Sequence, residues 1–300
     1  MRDKRINWLQ DYPLGAFFLF AFLFSWSIQV PLALQATGVL GTHLPFSLHY
    51  LSGYGPLLAA LLVTWRASGG KGLRELLGRV TKWRVRRAWW LVALSPLIAL
   101  PLISIGSWLL QVSALGFGDL GRIDHFPAIG LGALPLWILT FGLGEETGWR
   151  GFALPRLQKG RSAFSATLIL WGFWALWHLP LFFHMYTPAI LPGFLIGLLA
   201  GTITFTWIFN STGGSVLMTI LWHGTYNYAT ACTLCKTGAN AAVVSTLVMV
   251  WAVLIVILYA PTKLSSSTKI ISPEAPDKLS SHSDGLSKLS VEELTAGGRA

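Results

Sequence analysis

SAFSATLILWGFWALWHLPLFFH, Ser162 to His184, decides the fold: apart from its two histidines it holds nothing that can carry charge. A bilayer's hydrocarbon core of about 30 Å takes about 20 helical residues, so this run is long enough to cross as one helix. Barrel strands alternate apolar and polar residues over about ten positions, whereas here the apolar residues follow one another without a break. Working outward, comparable runs occupy approximately 14–36, 44–65, 88–112, 128–148, 163–184, 189–209, 213–232 and 241–261. The fourth has room to continue past Trp149 as an amphipathic helix through GFALPRLQ. The expected architecture is an all-α, polytopic transmembrane helix bundle of about eight spans.

Composition agrees, since 53% of residues are hydrophobic and only 11% charged, against roughly 25% charged in soluble chains. Fifteen Trp and seventeen Phe suit the edges of a bilayer. The net charge of +10 does not point to nucleic acid, because the basic residues lie in short loops between apolar runs, where membrane insertion and anionic lipid read them. Arg2, Lys4 and Arg5 precede the first run, Arg66 to Arg87 carry a basic loop after the second, and Arg150, Arg156, Lys159 and Arg161 follow the fourth. The opposite loops carry Arg122 and Lys236, so both termini are expected in the cytoplasm and the chain in the cell membrane. The charged start MRDKRINWLQDYPLG leads into an apolar run without a nearby small-residue cleavage site and reads as a retained anchor.

Residues 1–261 form the expected transmembrane domain, with a catalytic core at about 128–232. Beyond Pro261 the sequence turns to Ser, Lys and acids, and 262–300 is expected to be a disordered cytoplasmic tail. Cys232 and Cys235 form a CTLC pair, but with no strand-helix context they read as two small residues near a span end.

Charges inside a span cost at least a few kcal/mol each on insertion scales, so they need a partner or a task. The run PLWILTFGLG ends in Glu145 and Glu146, with Arg150 one turn beyond Glu146 at ion-pair spacing. Glu145, about 100° round the helix, is left to face something else. His178 lies deep in the 162–184 run, with Trp174 one turn before it and Pro180 just after to loosen the backbone ladder. His184 reads as an interface residue. In GGSVLMTILWHGTYNYATAC, residues 213–232, His223 and Asn227 share one face. Each group alone has a plain reading, as an end-of-span ion pair, a packed histidine, or polar glue between helices. Together, three spans each present a catalytic-type group towards a possible common interior.

A carboxylate and an imidazole beside one water can activate it for hydrolysis, and a histidine N–H with an asparagine amide can hold the oxyanion that an attacked amide develops. Ser215 is a hydroxyl to watch, outside any evident nucleophile motif. Two His and one Glu also make a three-ligand zinc set with an open position, but H-E-x-x-H is missing and Asn227 is a poor zinc ligand. No cofactor is therefore expected, with zinc the alternative. A proton-coupled transporter or a non-catalytic immunity scaffold would also use intramembrane carboxylates and imidazoles.

The fourth to seventh runs resemble the CAAX prenyl protease and bacteriocin-processing (CPBP) family of intramembrane glutamic endopeptidases. That family is marked by E-E-x-x-x-R, F-x-x-x-H and H-x-x-x-N or D on successive helices; here these stand as Glu145-Glu146-Thr-Gly-Trp-Arg150, Trp174-Ala-Leu-Trp-His178 and His223-Gly-Thr-Tyr-Asn227. Trp174 departs from the usual Phe and can fill an aromatic packing role. The resemblance implies Glu145 as the water-activating base with His178 assisting, His223 and Asn227 as the oxyanion site, and Glu146 with Arg150 as support. It implies cleavage of a membrane-associated peptide or protein, CAAX-type or bacteriocin-like.

Overall fold

The computed structural model describes residues 8–110, 121–123, 130–236 and 238–272. The described residues form helices and connecting turns, without strands. Eight helical elements are α1 (Pro13–Ala36), α2 (Gly55–Val80), α3 (Ser95–Leu109), α4 (134–157), α5 (Ala163–Trp177), α6 (Leu191–Ser211), α7 (Val216–Ala231) and α8 (Gly238–Leu258). Among the described residues, four stretches are long and apolar enough to cross a membrane: Pro13–Ala36, Ala163–Phe183, Pro188–Ser211 and Gly238–Leu258. This is an α-helical membrane protein.

Proline and glycine explain where helices depart from the apolar runs. The second run was expected from about 44, but α2 starts at Gly55, with Pro56 in its first turn, and a short helix Leu48–Ser52 precedes it. Further along, Gly69 leaves helical geometry (φ 60°) and kinks α2 where the basic stretch begins. The third run is broken at Leu94, because Pro96 opens a new helix and cannot continue the ladder from Ala88–Ala93. The fourth runs on to Leu157 and is buried through Gly151–Leu154, where an amphipathic extension was expected; Phe152 stacks on Phe17 of α1 at 4.9 Å.

α4 is the centre of the bundle, packed by α2 on one side and α7 on another. Glycines make that approach possible, as small residues do where membrane helices touch backbone to backbone. A Cβ on Gly148 would stand 2.5 Å from the Pro56 carbonyl oxygen of α2, and one on Gly224 of α7 would stand 2.6 Å from the Cα of Ile138 on α4.

The chain after α8 crosses the bundle's end. Asn210 of α6 donates to the Lys263 carbonyl (2.8 Å), Gln158 donates to the Ile270 carbonyl (2.7 Å), and Ser272 N–H donates to the Pro155 carbonyl (3.1 Å). The stretch expected to open the tail, 262–272, thus has its backbone tied down by two buried side chains that composition alone does not reveal. Residues 273–300 lie outside the described residues, as do Arg2, Lys4 and Arg5.

Candidate active site

Glu145 and Glu146 lie on the α-helical turn Leu143–Gly148, bracketed by two π-helical turns, Ile138–Gly142 and Trp149–Ala153. π-turns are uncommon and concentrate at functional sites, because the widened ladder re-aims side chains without ending the helix. Being adjacent in sequence, the two carboxylates point to different neighbours.

Glu146 faces inward and is fully buried. Its Oε1 accepts from Arg150 Nη1 at 2.8 Å and from His223 Nδ1 at 2.8 Å. The guanidinium is itself fully buried, lying between Trp174 at 4.4 Å and Phe205 of α6 at 4.1 Å. Glu146 Oε2 and Arg150 Nε and Nη2 are buried without a hydrogen-bond partner among the described residues, so ring faces stand where water would in an exposed pair.

Glu145 turns the other way. Its Oε2 accepts the indole N–H of Trp174 at 2.8 Å, and its side chain reaches the wall of a cavity of about 680 Å³. His178 and Asn227 line the same cavity. Pro180 explains the placing of His178. With no N–H to donate, it ends α5 at Trp177 and turns the chain into the 3₁₀ segment Leu179–Phe183. Two carbonyls of the last turn then take side-chain donors: His178 Nδ1 bonds the Trp174 carbonyl at 2.6 Å, and Trp26 of α1 bonds the Trp177 carbonyl at 3.0 Å. A carbonyl only accepts, so Nδ1 of His178 carries the hydrogen and Nε2 of the neutral ring is the acceptor.

The four residues read as catalytic from sequence are therefore divided. Glu145, His178 and Asn227 share the cavity; His223, one turn before Asn227, packs its ring against Trp174 (5.7 Å) and Phe205 (5.1 Å) and spends Nδ1 on Glu146. His184 lines the cavity too, its Nδ1 on the Pro180 carbonyl at 3.0 Å. Ser215 is the N-cap of α7, accepting from Met218 N–H (3.4 Å) and donating to the Lys82 carbonyl (2.7 Å). Cys232 and Cys235 are buried thiols not joined in a disulfide, and burial first, with Cys232 adding to it, pushes Cys235 up to about 11, far from a reactive thiolate.

Sequence reading passed over Phe205 and His49. Phe205 has no polar atom to single it out on an apolar helix, yet it covers Arg150. His49 is buried, lines the cavity and stands 5.9 Å from His184 ring to ring, but its local sequence SLHYLSG carries no motif. Among the described residues, no three His, Cys, Asp or Glu side chains are gathered as one ion would require.

The sequence profile described as "Type II CAAX prenyl endopeptidase Rce1-like" matches residues 127–229, the stretch that holds Glu145, Glu146, Arg150, Trp174, His178, His223 and Asn227 but not His49. CAAX prenyl protease 2 of Methanococcus maripaludis is 34% identical over 88 residues, 26% of this chain and 32% of that protein. The chain thus spans about a third of the length of the curated relative it matches. From α4 to α7, where two carboxylates, two histidines and an asparagine are assembled, this chain is similar in sequence to the Rce1-like type II CAAX prenyl endopeptidases.

Proposed function

We propose that the chain is an intramembrane endopeptidase that hydrolyses a peptide bond in a membrane-associated protein or peptide, CAAX-type or bacteriocin-like, without a metal. The observation that carries the reading is the common cavity of Glu145, His178 and Asn227, the first two of them anchored on one residue, Trp174.

A water between the Glu145 carboxylate and His178 Nε2 meets two acceptors, which fixes its two hydrogens and turns a lone pair towards a substrate carbonyl. Its oxygen bonds to the carbonyl carbon as Glu145 takes the proton. Negative charge moves to the carbonyl oxygen, and the Asn227 amide donates to it. The proton then returns to the leaving amine, by way of His178 or directly, and the C–N bond breaks. His223, with Nδ1–H on Glu146, contributes a donor from Nε2 only as the imidazolium. The scheme extends to topology: eight traverses, with both termini cytoplasmic, keep the basic loops on one side.

The test is cleavage of a prenylated CAAX reporter peptide by the purified full-length chain in nanodiscs. Glu145→Ala should lower turnover by roughly 10²–10⁴-fold, the usual contribution of a positioned base. Undiminished turnover in a folded Glu145→Ala protein sinks the assignment. Activity abolished by a chelator and restored by zinc would replace the metal-free mechanism with a metal-dependent one.

A further inference from the structure

The structure assigns Trp174 a task beyond packing: we propose that its indole N–H is the positioning donor that aims Glu145, so that one residue aligns both Glu145 and His178 on the cavity. The inference rests on the reading of Glu145 as the base.

Three observations carry it. First, the indole N–H meets Glu145 Oε2 at 2.8 Å with both side chains buried, at 3% and 2% exposure, so water does not compete for the bond. Second, the ring has little freedom to turn: Arg150 lies on it at 4.4 Å, and the rings of Phe205 and His223 meet it edge-on at 5.8 and 5.7 Å. Third, the backbone carbonyl of the same residue holds His178 Nδ1 at 2.6 Å. Moving Trp174 therefore moves both Glu145 and His178.

The chemistry suits a positioning role. An indole N–H donates and never accepts, so it holds a carboxylate without offering a rival site for the water's proton. With Oε2 occupied, Oε1 is the oxygen left for water, and a carboxylate with one oxygen fixed cannot rotate about its terminal torsion. Phe, which the family resemblance leads one to expect at this position, has no such donor. The chain has a restraint on its base that a Phe-bearing site lacks, and the buried carboxylate is correspondingly dependent on it.

The decisive experiment separates the N–H from the ring. The full-length chain in nanodiscs is made with Trp174→Phe, and separately with benzothienylalanine at position 174, which keeps the bicyclic shape and replaces N–H by sulfur. Both should lower kcat by roughly 10-fold or more while leaving KM within about twofold, because the lost interaction aligns the base rather than binding substrate. Wild-type kcat in the benzothienylalanine protein overturns the proposal, even where Trp174→Phe is impaired by its smaller volume. A second readout needs no turnover. The indole resonance of Trp174 in ¹⁵N-labelled protein, identified by its loss in Trp174→Phe, should move upfield in Glu145→Gln, where a neutral acceptor replaces a carboxylate. An unmoved resonance removes the contact and the proposal with it. If Glu145→Gln cleaves as well as wild type, the protease reading falls, while the indole resonance still decides whether Trp174 holds Glu145.

Discussion

One helical turn separates two regions built from the same kinds of group to opposite ends. On one side, Glu146, Arg150 and His223 are sealed under Trp174 and Phe205, with Glu146 and Arg150 entirely cut off from solvent. On the other, Glu145, His178 and Asn227 open on a cavity of about 680 Å³. A buried ion pair is seldom retained for stability, since desolvation offsets most of its attraction, and this one leaves three of its polar atoms without a partner among the described residues. Its value here is geometric. It ties α4 to α7 through His223 and sets the rotation of α4, and that rotation sends the next carboxylate to the cavity.

Breaking the sealed side should therefore be a matter of folding, and breaking the open side a matter of turnover. Arg150→Met leaves Glu146 charged and buried with His223 as its one partner. It should destabilise the protein by about 3–5 kcal/mol, read as a fall in thermal unfolding temperature and in the yield of folded protein. Asn227→Ala is the counterpart. The side chain has access to the cavity and among the described residues makes no hydrogen bond, so unfolding should be unchanged within about 0.5 kcal/mol. Turnover should drop by about 10²–10³-fold, the cost of one missing oxyanion donor. If Asn227→Ala unfolds at a lower temperature, or Arg150→Met is as stable as wild type, the two sides are not distinct.

Much of this division could be read from the amino-acid sequence, and the part that could not has a physical reason. Helical class follows from runs such as 162–184, whose length and apolar continuity leave no alternative. The Glu146 and Arg150 spacing foretells their bond, because residues four apart on a helix are neighbours by construction. Partners from other helices are a different matter. That His223 turns to Glu146 while Asn227, on the same face of α7, turns to the cavity depends on how α4 and α7 cross, which Gly224 against Ile138 decides at backbone distance. Trp174 is the clearest case. Its spacing from His178 marks it as an aromatic neighbour, but the direction of one N–H depends on the pitch of α4 between two π-turns, and these have no sequence signature. Span limits failed where proline or glycine interrupted an apolar run, at Gly55 and Leu94, since hydropathy averages across a broken ladder.

Ser215 gives the smallest expected effect, and it tests whether α7 can be loosened from its far end without disturbing either region. Its hydroxyl caps the helix by accepting from Met218 N–H and joins it to the end of α2 by donating to the Lys82 carbonyl, while Lys82 Nζ returns a bond to the Gly213 carbonyl at 2.7 Å. Ser215→Ala removes the cap and leaves the Lys82 carbonyl short of a donor, which should cost about 1 kcal/mol in unfolding measurements. His223 lies two turns further along α7, anchored to Glu146, and fraying of the first turn should stop short of it. Turnover at a temperature where the variant is folded should then match wild type. Loss of turnover without loss of stability would instead give the Ser215 hydroxyl a part in the chemistry and place the reacting centre outside the cavity of Glu145 and His178.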